Sequence, residues 1–109
     1  MIKVYQIQLT DAEIAAVNNG ETSDRIQAYF DRSFERTFKA ENFKYYTHVA
    51  NVFTDDREDA FRLMNLWESS DSDLVEKLER CSSMSVGDIV EMENGARYRC
   101  ASFGFEEIQ

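Results

Sequence analysis

One stretch restricts the fold more than any other: "KYYTHVANVFT", Lys44 to Thr54. It is dense in β-branched and aromatic residues, which suit a pleated strand. Alternation sends Tyr45, Thr47, Val49, Asn51 and Phe53 to one face. It sends Tyr46, His48, Ala50 and Val52 to the other. Both faces carry apolar groups, so the strand belongs inside a sheet rather than at its rim. Its natural neighbour is "IKVYQIQL", Ile2 to Leu9, a second β-rich run with Tyr5, Ile7 and Leu9 on one face and Ile2 and Val4 on the other.

Helical patterns fill the intervals. Thr10 and Glu13 form a capping box, and Asn18-Asn19-Gly20 closes the short helix they open. Thr22 or Ser23 starts a longer helix to about Lys39, with Ile26, Tyr29, Phe30, Phe34 and Phe38 on one stripe. Asp55 and Glu58 read as a second capping box, before a helix whose apolar face is Phe61, Met64, Leu66 and Trp67. "DLVEKLER", capped by Ser72 or Asp73, reads as another short helix. There Leu74, Val75 and Leu78 face inward, and Glu76 and Arg80 form an i, i+4 pair.

The chain closes on β structure. Asn94-Gly95 predicts a two-residue hairpin loop of type I′. That loop would pair Glu93 with Ala96, Glu91 with Tyr98 and Ile89 with Cys100, in a hairpin at the sheet edge. Gly104, between Phe103 and Phe105, suggests a bulge. Phe105 and Ile108 return to the core as a last short strand. Together these elements predict one α+β domain over residues 1–109: a small, mainly antiparallel sheet with a C-terminal hairpin, packed by about four helices.

Charge and residue types narrow the chemistry. The formal charge is −9, with 21 acids against 12 bases. Phosphate binding needs clustered Lys and Arg, so direct nucleic-acid binding and docking on an anionic membrane are disfavoured. The start shows no signal peptide and no run reaches a membrane span, so the expected location is the cytoplasm. Cys81 and Cys100 lack knuckle spacing and are expected to be reduced, with Cys100 buried. His48 is the only histidine, and it has no Ser, Cys or second His at triad spacing. No glycine-rich phosphate loop, H-E-x-x-H or Ca²⁺ loop occurs. "DDRED" and "DSD" lack the glycine and distal Glu a Ca²⁺ loop needs. The expectation is therefore a non-enzyme with no metal or cofactor.

The acids are not spread evenly. Asp55 to Glu79 holds nine of them against three bases, a net of −6. A focused negative field speeds encounter with a basic partner. The candidate partner-binding residues are Asp55, Asp56, Glu58, Asp59, Trp67, Glu68, Asp71 and Asp73. A solvated surface that only keeps the chain soluble is the competing reading.

"SMSVGDIVEM", a short turn, "RYRC" and "SFGFEEI" resemble the YodL-like group of small bacterial and phage-borne proteins. The likeness spans roughly the last quarter of the chain, with a looser match at "KVYQIQL" and near Tyr46 to Val52. The resemblance implies a small accessory protein from a phage or mobile element and supplies no catalytic residues. The expected function is thus non-catalytic binding of a host or viral protein, as monomer or dimer. The alternative is an acidic inhibitor that mimics nucleic acid in the groove of a defence or transcription protein.

Overall fold

Residues 1–34, 40–65 and 73–108 are described by the computed structural model. Six strands form one sheet: β1 (Ile2–Gln6), β2 (Thr47–Val52), β3 (Val75–Lys77), β4 (Ile89–Glu91), β5 (Arg97–Cys100) and β6 (Phe105–Ile108). Their order is β3-β2-β1-β4-β5-β6, and every neighbouring pair is antiparallel. Helices α1 (Asp11–Asn18), α2 (Asp24–Phe34) and α3 (Arg57–Asn65) and a 3-10 helix at Ala40–Tyr45 complete the described elements. The architecture is α+β, as expected, with β1 and β2 adjacent and interior.

One face of the sheet holds the main core. The register sets Ile2 against Val52 and Val4 against both Ala50 and Val90. Helix α3 lays Ala60, Leu63 and Met64 on them, and Met84 and Cys100 complete the cluster. Spacings of three and four make that stripe. Phe61 lies one position off it and is exposed, contrary to the expected apolar face. Leu66 and Trp67 lie outside the described residues. Val49 and Ala50 both enter this core, because the β1–β2 register shifts between Val4 and Tyr5. A bulge lets two successive residues serve one face, which strict alternation does not allow.

The opposite face is mixed. Tyr5 meets Phe43 of the 3-10 helix at 5.1 Å between ring centroids, and Arg97 lies 4.2 Å over the Phe43 ring. Arg25 of α2 ties this layer together. It donates to Gln8 O (2.5 Å) and Tyr45 O (2.8 Å) and pairs with Glu13 of α1 at 3.1 Å. The Thr10–Glu13 capping box is present as expected. In α2, Ile26 and Ala28 are buried while Phe30 is exposed, so the stripe is narrower than predicted. Phe38 lies outside the described residues.

Local expectations are overturned in three parts of the chain. "DLVEKLER" is no helix: Val75–Lys77 is strand β3, and Leu74 and Leu78 are exposed rather than inward. Glu76 accepts from Asn51 Nδ2 (2.8 Å), and Arg80 faces Asp11 at 3.8 Å, so the i, i+4 pair does not form. Unpaired backbone on β2 captured a segment whose side-chain pattern suited a helix. Lys44 and Tyr45 belong to the 3-10 helix, so β2 begins later than expected.

The hairpin register is the third. Glu91 pairs with Arg97, Val90 with Tyr98 and Ile89 with Arg99. Asn94 does not adopt positive φ, and Gly95 alone does, at +87°. Gly95 N donates to Met92 O and Met92 N to Ala96 O. This is a three-residue loop with a left-handed glycine, not a type I′ turn. One extra loop residue moves every side chain to the other face. It brings Arg97 Nε to 2.8 Å from Glu91 Oε1. The hairpin is not at the edge either, because β6 lies beyond β5. Gly104 sits in the turn between β5 and β6 rather than in a bulge, with Ala101 N donating to its carbonyl (2.9 Å).

Candidate protein-docking surface

The predicted partner-binding residues divide into three groups. Asp55, Asp56, Glu58 and Asp59 stand together at the start of α3. Asp73 is exposed just before β3. Phe53 N donates to Leu74 O, which brings the residue after Asp73 to the point where the chain leaves β2 for Asp55. Trp67, Glu68 and Asp71 lie outside the described residues.

Each acid at the start of α3 has its own task. Asp56, not Asp55, is the cap: its Oδ1 accepts from Glu58 N at 2.9 Å. The expected Asp55–Glu58 box is thereby replaced, since the helix begins one residue later. Asp59 pairs with Arg62 at 2.9 Å. Hydrogen bonds from Arg62 and Thr54 hold its carboxyl below the usual range. Asp55 lines a depression of about 240 Å³ with Met1, Met92 and Asn94. Glu58 is exposed and faces the turn between β5 and β6. Its Oε1 is 3.7 Å from where a Cβ on Gly104 would stand.

That approach joins two segments distant in the sequence. Beside Gly104, at the tip of the turn, Phe103 is 98 % exposed. Its neighbour Phe105 is partly buried against the main core. Arg57, beside Glu58 in the chain, lays its guanidinium 3.9 Å over the Tyr98 ring of β5. The surface is thus an exposed aromatic tip with one carboxylate, Glu58, against the adjoining Gly104. Phe103 was missing from the sequence-derived residues. The only signal for it was its place in "SFGF", which reads equally well as core.

Among the described residues, the histidine and the thiols lie apart. His48 pairs with Tyr5 on the mixed face and donates from Nε2 to Asn51 Oδ1 at 2.7 Å. Cys81 and Cys100 pack with the main core on the other face. Burial, with the Asp88 and Glu58 carboxylates, pushes the Cys100 thiol up to about 11. A depression of about 280 Å³ between α2 and the 3-10 helix is lined by Asp24, Gln27, Asp31, Glu41, Lys44 and Tyr45, without His48 or a thiol. Among the described residues, no group of three or more His, Cys, Asp or Glu is placed to hold a metal ion. No described helix is long and apolar enough to cross a membrane.

One carboxylate is fully enclosed. Asp88 Oδ2 accepts from Gln6 Nε2 (3.0 Å) and from Ser85 N (2.9 Å). Burial raises its pKa to about 6, against the pull of those two bonds and of Arg32. Gln6 Oε1 in turn accepts from Ser82 N (3.1 Å) and Gln8 Nε2 (2.8 Å). This network fastens the "SVGD" turn to β1, a framework role consistent with its satisfied bonds.

Comparison with protein-family profiles, with characterised proteins and with solved structures returns no match.

Proposed function

We propose that this chain is a non-catalytic binding module that docks a protein with a basic surface, using the Phe103 tip and the Glu58 carboxylate. The single observation that carries the reading is Phe103, a fully exposed aromatic next in the chain to Gly104, which Glu58 approaches. Aromatic anchors ringed by polar groups dominate binding energy at interfaces. The net charge of −9 selects a cationic partner and speeds encounter. The likeness of the closing segment to YodL-like proteins supports an accessory role in a phage or mobile element. Mimicry of nucleic acid draws less support, because Asp56 is turned to its own helix and Asp59 to Arg62.

The test is affinity capture from bacterial lysate with the wild-type chain, Phe103→Ala and Glu58→Lys, each at low and high salt. A protein held by the wild type at low salt, released at high salt and lost by both variants supports the reading. Equal capture by all three chains at both salts sinks it.

A further inference from the structure

Resting on that docking surface, we infer that the β6 edge next to Phe103 accepts an extended segment of the partner as a seventh strand, selecting one with a basic and an apolar residue at alternate positions.

The hydrogen-bond phase of the sheet sets which backbone groups are available. Cys100 bonds toward β4: its N–H donates to Asp88 O and its carbonyl accepts from Gly87 N, both at 2.8 Å. Successive residues of an antiparallel strand bond to opposite sides. Arg99 and Arg97 therefore bond toward β6, where their partners are Glu106 and Ile108. The N–H and C=O groups of Phe105 and Glu107 point away from the sheet. Among the described residues no strand lies beyond β6. Such an edge is a template for a further strand.

The side chains along the edge define the occupant. Phe105 and Glu107 lie on the same face, and each would stand directly opposite one residue of the incoming strand. Glu107 is exposed and calls for Lys or Arg. Phe105 is partly buried and calls for an apolar residue two positions away. Glu106 is already paired with Arg99 at 2.9 Å. A second copy of the chain is the wrong occupant. Self-pairing centred on Glu106 would set Glu106 directly opposite its own copy, a like-charge pair between two chains of charge −9.

The probe is a capped heptapeptide of threonines with one valine and one lysine, separated by a single residue. Its counterpart has glutamate in place of lysine. Amide shifts and hydrogen-exchange protection in the ¹⁵N-labelled chain report the site. The lysine peptide is expected to protect the Phe105 and Glu107 amides and to bind roughly threefold tighter than the glutamate peptide. Glu107→Pro removes one outward N–H without touching the ladder to β5, and edge strands tolerate proline there. It should weaken lysine-peptide binding about tenfold. Glu107→Lys keeps the backbone and should reverse the peptide preference.

Unchanged binding by Glu107→Pro overturns the inference, as do shifts that map elsewhere. So does a wild-type dimer that Glu107→Pro converts to monomer, because the occupant is then a second copy. If Phe103→Ala abolishes partner capture while the peptide ignores both Glu107 variants, the docking surface stands and strand addition falls.

Discussion

Gly87 offers the sharpest test of how the layers fit. It sits at the third position of the turn Ser85–Asp88, with φ +95°, and Asp88 N donates to Ser85 O at 3.0 Å. A Cβ there would stand 2.5 Å from the carbonyl oxygen of Arg32 and 2.7 Å from its carbonyl carbon. The obstacle is the backbone of α2, which cannot swing aside as a side chain would. In Gly87→Ala the left-handed φ costs about 1–2 kcal/mol. Forcing α2 off the turn adds about 1–3 kcal/mol. Gly95→Ala is the matched control, with φ +87° and nothing within 4 Å of the added methyl. It carries the φ cost alone. A total near 3 kcal/mol against one near 1 corresponds to melting points lowered by about 12 °C and about 4 °C in a domain of this size. Thermal unfolding followed by circular dichroism reads both. If the two variants melt within a degree or two of each other, the close seating of α2 on the "SVGD" turn is wrong.

Other outcomes follow from the same contacts. Asp88 has a folded pKa of about 6, above the ordinary carboxylate value near 3.9. The native state then holds the extra proton between about pH 4 and pH 6, so stability falls as pH rises through that window, by up to about 1.4 kcal/mol per unit. Asp88→Asn should flatten that slope in urea titrations at a series of pH values; an unchanged slope would refute the assignment. Leu63→Ala, in the main core, should lose about 3 kcal/mol, whereas Phe61→Ala, two residues away and exposed, should lose under about 0.5 kcal/mol in equilibrium urea unfolding. Phe103→Ala should leave the melting point within about 2 °C of wild type, since the ring touches so little of its own chain. A large drop would move Phe103 from docking to architecture.

Much of the fold was legible without coordinates, where local chemistry and tertiary demand agreed. The Thr10–Glu13 box needs only four consecutive residues, and it formed. The adjacency of β1 and β2 followed from apolar groups on both faces of each. Cys100 is buried, as expected of a reduced cysteine acting as a small apolar residue. Legibility stopped where a distant partner decided between near-equal local options. The stretch from Val75 to Lys77 carries a helical pattern, yet an open edge of β2 drew it into the sheet.

The amino-acid order by itself determined the class of fold, the capped starts of α1 and α2, the strands of the interior and the strongly acidic charge. These depend on neighbours a few residues apart or on simple sums. Only the tertiary structure decided the faces. One added loop residue at Gly95 turned the closing hairpin over, and one bulge at Val49 put two neighbours on the same side. It alone set Gly104 beside Glu58, residues 46 positions apart by their numbers. Side-chain direction in a sheet repeats every two residues, so a single-residue shift reverses it, and no local pattern is strong enough to prevent that slip.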